Sequence, residues 1–134
     1  MMNFKVYIVQ KKIEKFYLEA ISEYQKRLGR YCKIELVQVK NEATLLKKLS
    51  EKSYKISIGT EGEKLSSERL AVKIEHYGLS SVSDISFILG AEELEVDEVL
   101  CISPMDMDLG LEGAVLFEQI YRGYRIINNE PYHK

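Results

Sequence analysis

The chain has 134 residues, of which 46% are apolar and 30% charged, with a formal net charge of −2. That is enough for one domain over 1–134 that buries roughly two-thirds of its unfolded surface. No apolar run approaches the roughly 20 residues of a membrane span, the start lacks a secretory-signal pattern, and the charge balance does not mark a nucleic-acid binder.

Phe4 to Val9 (FKVYIV) reads as a strand, rich in β-branched and aromatic residues. From Ile13 to Leu28, the set Ile13, Phe16, Tyr17, Ala20, Ile21 and Tyr24 keeps helical spacing, and Gly29 suits its end. Cys32 and Cys101 sit in apolar segments and are expected as buried, reduced thiols of a cytosolic protein. Lys33 to Val39 alternates as a second strand, Asn41 caps a short helix to about Leu49, and Tyr54 to Ile58 is a third strand closed by Gly59. Thr60 to Lys64 is expected as a loop. Ser66 and Ser67 start a helix that carries Leu70, Ala71, Ile74 and Tyr77 inward and ends near Gly78.

Ile85 to Leu89 forms a fourth strand, stopped by Gly90. Glu92 to Glu98 has room for only a short helix, and Val99 to Ile102 suits a fifth strand. An irregular loop through Pro104 and Gly110 then leads to the C-terminal helix. Leu116, Ile120, Tyr124 and Ile127 form its apolar stripe, while Glu118, Arg122 and Arg125 share another face. Asn128, Asn129 and Pro131 end it, leaving Tyr132, His133 and Lys134 as a tail dense in polar groups. Strands alternating with helices predict an α/β fold with a parallel core.

Several chemistries are absent. There is no dinucleotide fingerprint, no phosphate-binding P-loop and no nucleophile elbow. His76, His133 and the two cysteines lack metal-ligand spacing, so no metal is expected. What remains are sharp turns after the third, fourth and last strands, where ligands bind in open α/β sheets. The residues by themselves imply an α/β domain with a small-molecule crevice.

Four segments resemble the ribosomal RNA large subunit methyltransferase H family of the SPOUT superfamily. Glu23 to Leu28 with Arg30-Tyr31 is similar to its EYxKRLxRY, and Ile58 to Ala71 to its LDxxGKxLSSExFA. Ile85 to Gly90 matches the strand before its Gly-Gly turn, and Leu116 to Lys134 matches LLEQxYRAxxIxxGEPYHK. The resemblance covers essentially the whole chain. It implies an open, mostly parallel sheet flanked by helices, with a C-terminal trefoil knot, in a homodimer with active sites at the subunit interface. It implies S-adenosylmethionine as methyl donor and a pseudouridine ring nitrogen of large-subunit ribosomal RNA, on the assembled ribosome, as acceptor.

Carried over residue by residue, the resemblance places the cofactor on backbone groups at Ile58, at Gly90 and across Cys101, Ile102, Ser103, Pro104, Met105 and Asp106. It gives Tyr132 and His133 substrate positioning or proton handling and Lys134 a contact to RNA, while Arg122 and Arg125 are candidates for phosphate contacts or for structural pairs, Arg122 with Glu118 four residues before it. The chain departs from the pattern in three respects. Met107, Asp108 and Glu112 stand where the family has Pro-His and an arginine, Glu63 stands for a lysine, and the segment after Gly90-Ala91 is short. An acidic residue there repels phosphate, by up to about 4 kcal/mol for a pair 4 Å apart at an effective dielectric of 20. A second reading therefore stands beside the enzyme: a noncatalytic dimer of the same fold acting as a binding or scaffold module.

Overall fold

A computed structural model describes residues 1–133; Lys134, one of the expected RNA contacts, lies outside the described residues. In chain order the elements are β1 (Asn3–Val9), α1 (Lys15–Leu28), β2 (Lys33–Val39), α2 (Glu42–Lys48), β3 (Tyr54–Gly59), β4 (Glu63–Lys64), α3 (Ser67–Leu79), β5 (Asp84–Leu89), β6 (Glu98–Cys101) and α4 (Leu109–Ile127). The strands form one sheet in the order β2-β1-β5-β3-β6-β4, and every pairing is parallel. Thus β5 and β6 both flank β3, and the carboxyl ends of β3, β5 and β6 lie side by side.

Alternation along β1 explains the layering. Phe4, Val6 and Ile8 point into the larger core, which also takes Ile21, Ile74, Leu116, Phe117 and Ile120 from α1, α3 and α4. Tyr7 points the other way, toward Val39, Leu45 and Ile88 under α2. α4 packs between α1 and α3. Its Leu116, Phe117 and Ile120 have no exposed surface, and each such side chain contributes about 2 kcal/mol by leaving water. Cys32 and Cys101 are free and buried, as expected; burial pushes the Cys32 thiol up to about 12.

Local signals account for most boundaries. Asn41 Oδ1 accepts from Thr44 N at 2.8 Å, and Ser66 Oγ from Arg69 N at 3.0 Å, capping α2 and α3 as read from the sequence. Three expectations are corrected. The Thr60–Lys64 loop contains the two-residue strand β4, held because Leu65 N donates to Cys101 O. Glu92 to Glu98 forms no helix; Asp97 instead turns back so that its carboxylate accepts from Lys55 N and its own N–H donates to Lys55 O. The C-terminal helix begins at Leu109, several residues before its apolar stripe. Gly110 and Gly113, which weaken a helix by propensity, are there because a Cβ would meet Tyr17 Cδ2 at 2.8 Å and Ile8 Cδ1 at 2.6 Å. Close packing on α1 and β1 overrides the local preference.

Candidate active site at the carboxyl ends of the central strands

Gly59 ends β3 and Gly90 follows β5, so both strands stop at the same edge of the sheet. Gly90 has φ +96°, which side-chain-bearing residues rarely adopt, and a Cβ there would lie 2.7 Å from Leu109 Cδ1 and 3.0 Å from Val9 O. Over this edge lies a cavity of about 250 Å³, lined by Ile58, Gly59, Thr60, Gly90, Glu92, Asp106, Leu109 and Glu112. A wider depression of about 550 Å³, including Lys52, Ser83, Asp84 and Asp97, sits at the opposite end, where β3 and β5 begin. Open α/β sheets bind ligands outside the carboxyl ends of their strands, which favours the smaller cavity.

The expected cofactor residues divide between this cavity and its surroundings. Ile58, Gly90 and Asp106 line it. Cys101 is buried beside it, its thiol donating to Thr60 O at 3.4 Å. Ile102 lines a neighbouring, more apolar cavity of about 260 Å³ with Leu65, Ser66, Ser67, Leu70, Val115, Leu116 and Gln119. Ser103 Oγ accepts from Met105 N at 3.0 Å, which shapes the turn, while Pro104 and the Met105 side chain face solvent. The loop 101–106 therefore runs between two cavities.

The electrostatics of the first cavity are one-sided. Glu92 lies against Gly59, and its Oε1 accepts from Thr60 N at 3.3 Å. Glu112 is only 5% exposed, and burial, then the charges of Glu92 and Asp106, raise its carboxyl above the ordinary value. Asp108 and Glu63 have structural work instead. Asp108 caps α4, its Oδ1 accepting from Gly110 N at 2.8 Å and Leu111 N at 3.3 Å, and Glu63 pairs with Arg69 at 3.1 Å and Lys73 at 3.3 Å.

The tail packs on α3 and α4. Tyr132 OH donates to Glu118 Oε2 at 2.8 Å, and its ring lies under the Arg122 guanidinium, 4.6 Å from the centroid. Burial, then the neighbouring Tyr24 hydroxyl and Glu118 carboxylate, push the Tyr132 hydroxyl up, so it holds its proton at neutral pH. Arg122 Nη1 lies 3.2 Å from His133 Nδ1; since a guanidinium only donates, Nδ1 accepts and the ring proton sits on Nε2, 3.4 Å from Glu68 Oε1. Arg122 also donates to Glu118. Arg125 donates to the Tyr31 hydroxyl and to Glu130 Oε2, both at 3.1 Å, and to Pro131 O at 2.9 Å. Tyr132 and His133 thus stand together, and neither lines the strand-end cavity.

The turns expected after the third and last strands, Gly59 to Gly62 and Ser103 to Gly110, contain the lining residues Gly59, Thr60 and Leu109; the sequence reading missed Glu92 and took Glu112 only as a lost arginine. One signal was present: stepping back four residues from Leu116, Ile120 and Tyr124 lands on Glu112, a carboxylate on a buried stripe.

Comparison with known proteins completes the picture. A family described as predicted SPOUT methyltransferase matches residues 2–133. "Ribosomal RNA large subunit methyltransferase H 1" of Thermoanaerobacter sp. (strain X514) is 53% identical over 133 residues, covering 99% of this chain and 100% of that one. The enzymes named ribosomal RNA large subunit methyltransferase H 1 in Clostridium perfringens (strain SM101 / Type A) and methyltransferase H in Alkaliphilus oremlandii (strain OhILAs) are 34% and 36% identical. Both alignments run over 159 residues and cover 99% of this chain and 100% of the relative.

Proposed function

This chain belongs to the SPOUT methyltransferase family, and from that premise we propose that it transfers a methyl group from S-adenosylmethionine to large-subunit ribosomal RNA. The acceptor is a pseudouridine ring nitrogen presented by the ribosome, and the working unit is a knotted homodimer in the cytoplasm. The observation that carries this reading is the glycine-edged cavity where β3 and β5 end, in a chain that aligns throughout with relatives named as such methyltransferases.

The residues present fit the cofactor. Gly90 lines the cavity with main-chain atoms alone, and the carboxylates of Glu92, Asp106 and Glu112 complement a cation. Ile58, Gly59, Thr60, Gly90 and Asp106 would hold the group, with Leu109 closing the apolar side. When bound, S-adenosylmethionine supplies a methyl carbon already activated by its sulfonium. The protein then has to align the acceptor and favour its deprotonated nitrogen. Tyr132 keeps its proton, donating it in a hydrogen bond to Glu118; turned from that carboxylate toward an acceptor, the hydroxyl would donate to an anionic base. His133 carries its proton on Nε2 and leans on Glu68.

The scaffold reading draws on the acidic replacements, but Asp108 and Glu63 are occupied in capping and pairing, which leaves Glu112 as the replacement open to the cavity. Calorimetric titration with S-adenosylmethionine separates the two. The enzyme reading expects saturable binding at cofactor concentrations well below about 1 mM, that is, tighter than about −4.1 kcal/mol. Absence of heat would favour the scaffold. Given binding, Tyr132→Ala and His133→Ala should cut methyl transfer to ribosomes far more than they weaken cofactor binding, and equal loss of both would contradict their role at the acceptor.

A further inference from the structure

Glu112 is unlike the other partly enclosed glutamates. Glu98 receives Lys73, Tyr77 and Tyr54; Glu118 receives Arg122 and Tyr132; Glu130 receives Arg125 and Tyr31. Among the described residues, the Glu112 carboxylate has no hydrogen-bond or ion-pair partner, although the residue is only 5% exposed; its oxygens open on the cavity instead of being sealed in the core. Enclosing a carboxylate without a protein partner is unfavourable, and a cation in the cavity would relieve it. Glu112 faces the strand-end cavity with Glu92 and Asp106, and no lysine or arginine lines that space. The raised carboxyl of Glu112, set by burial and then by those two neighbours, agrees with three acids sharing one field. A metal ion is the wrong guest, since no group of three His, Cys, Asp or Glu among the described residues is placed to hold one.

We propose that Glu112, supported by Glu92 and Asp106, is the charge-selecting element of the cofactor cavity, favouring the sulfonium donor over the neutral thioether product. This rests on the reading of the cavity as the cofactor site. In the transfer, the acceptor nitrogen gives its proton to water and its electron pair forms the new carbon–nitrogen bond, while the methyl–sulfur bond breaks with its electron pair staying on sulfur. The positive charge beside the carboxylates vanishes in that step. The attraction that held the donor is therefore withdrawn from S-adenosylhomocysteine, and product leaves.

The test is calorimetric titration of the full chain with S-adenosylmethionine, S-adenosylhomocysteine and sinefungin, which carries an ammonium in place of the sulfonium. Glu112→Gln keeps the shape and removes the charge; Glu92→Gln, at an exposed position, serves as a second variant. The unaltered protein should prefer both cationic ligands over S-adenosylhomocysteine, and Glu112→Gln should reduce that preference about tenfold, the equivalent of about 1.4 kcal/mol, with little loss of S-adenosylhomocysteine binding. Glu92→Gln should reduce it by less. If Glu112→Gln weakens all three ligands equally, charge selection is wrong while the cofactor site stands. If the unaltered protein binds none of them, both ideas fall together.

Discussion

Glu98 and Glu112 show how two carboxylates in one small domain come to oppose each other. Burial alone raises both. At Glu98 the Lys73 ammonium and the Tyr77 and Tyr54 hydroxyls outweigh it, and the carboxyl ends below its ordinary 4.5. At Glu112 nothing outweighs it, and Glu92 and Asp106 add to it. The contribution of Glu98 to stability is present above pH 4.5 and is lost as pH falls through its lowered folded value. That of Glu112 is present below pH 4.5 and is lost as pH rises through its raised folded value. Glu98→Gln should therefore flatten the acid limb of a stability–pH curve measured by urea unfolding. Glu112→Gln should raise stability at neutral pH by about 1 kcal/mol, the low end of the penalty for an unpartnered buried group, with the gain shrinking toward pH 4. A Glu112→Gln gain that stayed constant across that range would show that packing, not charge, is responsible.

Elements were legible where side-chain periodicity met a recognisable cap. β1, β2, β3 and β5 come within a residue or so of their expected bounds, and the inward set of α3 is the one its spacing gives, because Ser66, Asn41 and strict periodicity act locally. α4 was half legible. Its stripe from Leu116 was plain, but its first turns were hidden behind two glycines that only contact with Tyr17 and Ile8 explains. That hid Glu112 as well, since its place on the stripe is visible only once the helix is known to start at Leu109. The cavity was legible as a set of strand ends, whereas the partners of Tyr132 and His133 depend on how α3 meets α4. The cap carries its own prediction. Asp108→Ala should cost about 1 kcal/mol in thermal or urea unfolding, and Asp108→Asn only a few tenths, because asparagine still accepts from the first-turn N–H groups. Gly90→Ala should cost more, about 1–3 kcal/mol, through its φ of +96° and the close Leu109 and Val9 atoms.

At the scale of the molecule, the two halves of the proposed site are offset along α4, and neither Tyr132 nor His133 lines the cavity. Glu112 marks the cavity near the start of α4, and Glu118, which holds Tyr132, lies six residues on, about 9 Å along the axis and on another face. Arg122, which holds His133, is about 15 Å along. A tail that serves the acceptor at the cavity is most simply supplied by a second copy. The start of α1 abuts the start of α4, and Phe16, 60% exposed, Leu111, 38%, and Met105, 74%, are apolar side chains on these elements and the loop before α4 that a partner chain would cover. Light scattering should accordingly give twice the 15.5 kDa chain mass. Complementation then decides whether the site is shared. Thr60→Tyr, which fills the cavity, and His133→Ala, which removes the tail group, should each abolish methyl transfer in their own dimers. After the two are unfolded together in equal amounts and refolded, half of the dimers are mixed and each has one intact site, so about a quarter of the unaltered activity should return if a two-fold dimer shares its sites. No recovery, with mixed dimers demonstrably formed, would place cavity and tail of the same chain in one site and remove the reason for the dimer.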